Sequence, residues 1–122
     1  MNYEYIFVYG TLRRGTNSEM HHLLAKHAEF VDEATYRGKL YKVNDYPGVV
    51  PSNDPNAIVH GEVYLLHHAD IVLLRLDQYE EYGPEFSQPN EYIREKQEVF
   101  LRSGSGITAW VYLYNRPLKA LS

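Results

Sequence analysis

The sequence predicts an α+β fold, a small curled mixed β-sheet or barrel with helices at its edge. Three observations carry that prediction. Runs rich in aromatic and β-branched residues recur about five times, whereas apolar residues at helical spacing mark only two segments. The order is strand, helix, two strands, helix, two strands, which leaves too few helices to cover both faces of a doubly wound sheet. The chain has 122 residues, so residues 1–122 are expected to form a single domain. A chain of that size buries roughly 65% of its unfolded surface and folds without staples.

Tyr3-Glu4-Tyr5-Ile6-Phe7-Val8-Tyr9 reads as a buried strand that Gly10 stops. Gly10 to Thr16 is a loop bounded by Gly10 and Gly15. Asn17 or Ser18 can cap the short helix that follows, in which Met20, Leu23, Leu24 and His27 recur on one face. Ala34 to Val43 is extended, with Gly38 as a bulge or crossing point. Pro47, Gly48, Pro51 and Pro55 make Asn44 to Asn56 a long irregular loop. Ile58 to Leu65 returns to a strand. Asp70 is a good N-cap, and Ile71, Leu73, Leu74 and Leu76 place apolar side chains on adjoining faces of a helix running to about Tyr79. Gly83, Pro84 and Pro89 mark a polar loop. Glu91 to Arg102 and Ile107 to Tyr114 are strands joined by a hairpin turn at Ser103-Gly104-Ser105-Gly106, and Pro117 closes the ordered part.

Composition excludes several kinds of function. There is no cysteine, hence no disulfide, thiolate metal site, cysteine nucleophile or redox dithiol. A reducing cytosol is the expected compartment, and no signal peptide is visible. The formal net charge is −4, without the basic excess that neutralises phosphates, so no nucleic-acid partner is expected. The longest apolar runs, such as Ile71-Val72-Leu73-Leu74, fall far short of the roughly 20 residues that span a bilayer, so no membrane partner is expected either. Twelve tyrosines against four phenylalanines fit surfaces that are apolar on one side and wet on the other, such as the wall of a polar pocket.

The candidate chemistry lies in a few places. Gly10 and Gly15 have the spacing of a phosphate loop, but Thr16 stands where the lysine must be, which rejects nucleotide hydrolysis. The same turn, placed straight after a buried strand, can aim several backbone N–H groups at one carboxylate or oxyanion. Asp77, Glu80 and Glu81 gather at the end of the second helix, where the helix dipole disfavours negative charge. Asp77 and Glu80 are i and i+3 and share a face. Like charges there raise the pKa of one of them, as a group that is general base and then acid near neutral pH requires. A solvated acidic patch is the plain alternative. The six histidines show no ligand spacing, so no metal is expected. Arg102 stands where a serine-nucleophile turn would need its first glycine before Ser103-Gly104. Trp110, Tyr112 and Tyr114 share one face of the last strand, where they line a pocket or fill a core.

Taken in order, these pieces resemble the gamma-glutamylcyclotransferase family, including its AIG2-like and gamma-glutamylamine cyclotransferase branches. Phe7-Val8-Tyr9-Gly10-Thr11-Leu12-Arg13-Arg14-Gly15 resembles the family's opening strand and loop, Tyr-Gly-(Ser/Thr)-Leu. Gly38-Lys39-Leu40-Tyr41 and Tyr46-Pro47-Gly48-Val49 resemble its middle strand and proline loop, and Val59-His60-Gly61-Glu62-Val63-Tyr64 its Gly-Glu-Val-Tyr strand. Leu76-Asp77-Gln78-Tyr79-Glu80 resembles the Leu-Asp-x-x-Glu helix end, and Tyr92-Ile93-Arg94 the Tyr-x-Arg segment.

The resemblance implies a small mixed β-barrel with flanking helices and a cyclisation that uses no metal or organic cofactor. In that reaction the α-amine of a small gamma-glutamyl substrate attacks its own γ-amide carbonyl, giving 5-oxoproline and a free amine or amino acid. The family's acid/base glutamate matches Glu80. Its substrate-holding turn matches Tyr9, Gly10, Thr11 and Leu12, and the aromatic on its last strand matches Tyr114, with Tyr112 as neighbour. Two features depart from the pattern. Glu81 stands where the family often has glycine, and the loop from Glu81 to Asn90 shapes the leaving-group side in its own way. Two other functions fit the same residues. One is a non-catalytic small-metabolite-binding protein on this fold, and the other an amide hydrolase in which Glu80 activates water.

Overall fold

The computed structural model describes residues 3–9, 19–43 and 46–116. In chain order the elements are β1 (Tyr5–Val8), α1 (Glu19–His27), β2 (Ala28–Val43), β3 (Tyr46–Pro51), β4 (Ile58–Leu66), α2 (Ala69–Tyr79), β5 (Tyr92–Leu101) and β6 (Gly106–Tyr114). The strands lie in the order β3-β2-β4-β1-β6-β5, and an additional β2–β5 pairing closes the ring. The closing contact is short: Ala34 faces Leu101, and Thr35 faces Phe100. The pair β1–β6 is parallel, with Ile6 opposite Trp110, and the other pairs are antiparallel. The result is a closed five-stranded mixed barrel with two helices, the α+β architecture that the element order predicts, and β3 is appended to β2 outside the ring.

The strand period sorts most of the buried apolar residues into two cores, and Tyr92 and Tyr114 form a third, smaller cluster. Phe7, Tyr36, Val59, Val63, Val99, Val111 and Leu113 fill the barrel, which is small enough for side chains to occupy it completely. Ile6, Val8, Tyr64, Leu66 and Tyr112 point outward and pack under the helices against Leu24, Val72, Leu73 and Leu76. Among the described residues, no helix is long and apolar enough to cross a membrane.

Three local expectations need correction, and the crossing point expected at Gly38 is found. The stretch Asn44 to Asn56 is not wholly irregular. Tyr46–Pro51 forms β3, paired with the second half of β2 from Val43↔Tyr46 to Gly38↔Pro51. The prolines are tolerated because β3 is an edge strand, where a missing N–H breaks no inner ladder. Strand β2 starts at Ala28 rather than Ala34, because α1 runs straight into it and a bulge between Phe30 and Asp32 absorbs the irregularity. Gly38 marks the switch of partner along β2. Residues up to Arg37 pair with β4, and those from Gly38 onward pair with β3. A Cβ on Gly38 would lie 2.8 Å from the Val50 carbonyl oxygen. Finally, Asp70 is not the N-cap of α2. His68 holds that place with a left-handed backbone (φ 58°), and Asp70 falls in the first turn.

The two faces expected of α2 also fare differently. Leu73 and Leu76 are buried together with Val72, whereas Ile71 and Leu74 are 53% and 59% exposed. The barrel offers the helix one stripe of contact, which is all that a strand-sized surface covers.

Candidate active site

The end of α2 is fixed by its backbone. Glu80 is the C-cap and donates its N–H to the Leu76 carbonyl (2.9 Å). Glu81 follows with φ 54°, a left-handed conformation that favours glycine. The Glu81 N–H then reaches the Gln78 carbonyl (3.3 Å) and the Tyr82 N–H the Asp77 carbonyl (2.8 Å). This nested pair is the Schellman arrangement. Position 81, where the resembling family often has glycine, is thus the one residue of the turn whose backbone asks for glycine.

The turn delivers Glu80 to the barrel mouth, where the residue is only 7% exposed. It lines a pocket of about 170 Å³ with Tyr79, Glu81, Glu91 and Tyr92. Tyrosines converge on it from three strands or their ends. Burial chiefly pushes up the Tyr9 hydroxyl, and the negative charge of Glu80 adds to the effect. Tyr92 is raised first by burial, then by Glu91 and by Glu80. Tyr112 is raised first by burial and then by Asp77, with a further contribution from Glu80. All three stay protonated donors at neutral pH, within electrostatic reach of one carboxylate.

Each tyrosine is held in place. The Tyr9 hydroxyl donates to the Tyr112 carbonyl. Tyr114 is buried and packs edge-on against Tyr92, with ring centres 5.7 Å apart. The β5–β6 register explains the pairing, since Tyr92 faces Tyr114 and Arg94 faces Tyr112. Gly48 on β3 comes close to the same ring: a Cβ there would sit 3.1 Å from the Tyr114 Cβ. The wall beyond Glu80 is tied down by Asn90, whose amide oxygen accepts from the Gly83 N–H (3.1 Å) and whose amide nitrogen donates to the Gly83 carbonyl (3.0 Å).

Asp77 does not act as the bare like-charge neighbour expected from the i, i+3 spacing. Its two carboxylate oxygens accept from Arg94 Nε (2.7 Å) and Nη2 (2.9 Å), and one of them also accepts from the Tyr112 hydroxyl (2.8 Å). Burial works against the Arg94 charge, but the hydrogen bond and charge of Asp77 outweigh it and raise the guanidinium further.

Of the residues singled out from sequence, Tyr9, Glu80 and Tyr114 therefore meet at one end of the barrel, with Tyr92 between the last two. Gly10, Thr11 and Leu12 lie outside the described residues. Sequence reasoning gave Tyr92 and Arg94 no role of their own. Their signal was the Tyr-x-Arg spacing, which puts both on one face of β5. Among the described residues, no group of three or more histidines and carboxylates is placed to hold a metal ion.

The fold and this site define a class: a small five-stranded barrel that presents one buried carboxylate, ringed by tyrosines, at the end of a flanking helix. Residues 6–121 match the sequence profile of the gamma-glutamyl cyclotransferase, AIG2-like family, and the chain belongs to that family. It is 34% identical to the gamma-glutamylcyclotransferase family protein ytfP of Citrobacter rodentium over 96% of this chain and 87% of that protein. It is 35% identical to the gamma-L-glutamyl-butirosin B gamma-glutamyl cyclotransferase of Niallia circulans over 91% of this chain and 67% of that protein. The crystal structure of an AIG2-like protein from Mus musculus shares the fold, with a TM-score of 0.76 at 23% identity over 99% of this chain and 83% of that one. Cyclotransferase chemistry on small gamma-glutamyl substrates is accordingly the activity of the family.

Proposed function

We propose that this protein is a gamma-glutamyl cyclotransferase that converts a gamma-glutamyl amine or small gamma-glutamyl peptide into 5-oxoproline and the free amine. The observation that carries this reading is the buried Glu80 carboxylate, fixed at the C-cap of α2 in a pocket it shares with Tyr92. Glu80 takes a proton from the substrate's α-ammonium. The freed amine attacks the γ-carbonyl carbon, a C–N bond forms and closes the ring, and the amide C–N bond breaks. The proton passes from Glu80 to the departing nitrogen, the ring nitrogen sheds its second proton as the lactam forms, and the amine leaves as an ammonium, so that both protons lost by the α-nitrogen end on the leaving nitrogen and no water is consumed. Nucleophile and electrophile belong to one molecule, and the protein's main task is to select its folded conformer. The turn from Tyr9 through Gly10, Thr11 and Leu12 holds the substrate together with Tyr114. Backbone donors aimed at a developing oxyanion are worth about 3–4 kcal/mol. The chain works as a single domain in a reducing cytosol, without cofactor and without a nucleic-acid or membrane partner.

The test is a mass-spectrometric screen of gamma-glutamyl amines, gamma-glutamyl amino acids, gamma-glutamyl-ε-lysine and glutathione with wild type and Glu80→Gln. Wild type is expected to release 5-oxoproline. Removing an acid/base group lowers kcat by about two to four orders of magnitude. Activity of Glu80→Gln within a few-fold of wild type removes Glu80 from the role, and a dead Glu81→Gln beside an active Glu80→Gln transfers it. Glutamate in place of 5-oxoproline identifies hydrolysis. A ligand that stabilises the protein and returns unchanged identifies a binding protein.

A further inference from the structure

The same end of α2 carries a second device. Asp77 lies one turn before Glu80, and its side chain reaches the barrel wall, bridging α2 to both β5 and β6. Three hydrogen bonds hold it, from Arg94 Nε, Arg94 Nη2 and the Tyr112 hydroxyl. Arg94 is itself braced, with its guanidinium 4.2 Å from the centre of the Trp110 ring, and the Trp110 indole nitrogen donates to Glu4 (3.0 Å). A forked guanidinium pairing of this kind fixes orientation as well as charge. We propose that the Asp77–Arg94 pair is a positioning device for Glu80, holding the last turn of α2 against the barrel and setting a neutralised carboxylate beside Glu80. This inference rests on the reading of Glu80 as the acid/base.

The geometry asks for such a device. Both side chains of the pair are 16% exposed, and an ion pair largely withdrawn from water adds little stability over an apolar pair of the same shape, so its presence at a helix end points to what it places. Glu80 is faced by Tyr9 from β1, by Tyr92 and Glu91 at the start of β5, by Tyr112 from β6, and by Tyr79 and Glu81 from its own turn, with Asp77 three residues before it on α2. A bare Asp77 would add a further negative charge to that set. Arg94 cancels it, and Tyr112 relays the anchor to Tyr9 through its own carbonyl.

The experiment follows the Glu80 carboxyl by carbon-13 NMR across pH, assigned by its loss in Glu80→Gln, in parallel with kcat and KM for 5-oxoproline release. Asp77→Asn leaves Arg94 uncompensated, so the Glu80 midpoint falls. Arg94→Gln bares Asp77, so the midpoint rises. Each shift is expected to be about half a pH unit or more. Arg94→Lys keeps the charge but loses the fork, and its midpoint stays near that of wild type. In Asp77→Asn and Arg94→Gln, kcat is expected to fall about tenfold or more with KM little changed, and Arg94→Lys to recover part of it. Midpoints that stay put or move in the same direction, or kcat losses that track only the folded fraction in a melt, overturn the proposal. If wild type releases no 5-oxoproline, the reading of Glu80 as acid/base fails, and the opposed midpoints alone decide whether the pair sets its charge.

Discussion

The two ends of α2 are held in different ways. At its N-terminus His68 takes a left-handed backbone, no side chain caps the helix, and the Ile71 and Val72 N–H groups both turn back to the His68 carbonyl. At its C-terminus a nested pair of backbone bonds sets the turn, and Asp77 ties it to two strands. The apolar stripe of Val72, Leu73 and Leu76 is enough to make α2 a helix and lay it on the barrel. It does not fix where the last residue ends. Tertiary polar bonds do that, and they are concentrated where Glu80 sits.

Raising the pH attacks the buried tyrosines, three of which lie around Glu80 at the C-terminal end. Burial is the first cause that holds Tyr9, Tyr92 and Tyr112 protonated there. On the barrel's interior side, burial and then Glu95 push Tyr36 up to about 12. In the unfolded chain tyrosine ionises near ~10. Above that pH the unfolded chain releases protons that the folded chain keeps, so stability is whole below about pH 10 and falls as pH rises, for Tyr36 until about 12. Circular dichroism recorded together with tyrosinate absorbance should show the buried tyrosines ionising as the fold is lost. Ionisation of all twelve tyrosines before any loss of dichroism would refute this.

Next in size are truncations along the helix. Leu76 is fully buried against the barrel, and Leu76→Ala is expected to cost about 2–5 kcal/mol in urea unfolding. Ile71 is 53% exposed near the other end, and Ile71→Ala is expected to stay within about 0.5 kcal/mol of wild type. Equal losses would mean that the two ends are packed alike.

What could be read from sequence follows the same division. Strand and helix periods reported which residues face inward, so β1, α2, β5 and β6 were legible, and the count of helices against strands led to the barrel. Strand β3 was not, because proline and glycine dominate Tyr46–Pro51, and an edge strand needs no apolar alternation. The place of Glu80 at the end of α2 was legible through the Leu-Asp-x-x-Glu spacing. The ion pair of Asp77 was not, because spacing along one helix shows its like-charged neighbour and hides Arg94, which comes from β5. Only the β5–β6 register, with Arg94 opposite Tyr112, reveals that both reach for one carboxylate.

Glu81 holds φ 54°, where a side chain is strained, so Glu81→Gly is expected to stabilise by about 1 kcal/mol in thermal melts. A loss instead would mean that the Glu81 side chain contributes more than its backbone costs. At the opposite end, Asp70 sits in the first turn, where its charge complements the helix dipole without capping a backbone N–H. Asp70→Asn removes only that charge, at a cost of about 0.3–1 kcal/mol that shrinks as salt is added. A larger loss, insensitive to salt, would mean that Asp70 makes a specific bond, and that the N-terminal end is as closely specified as the end that carries Glu80.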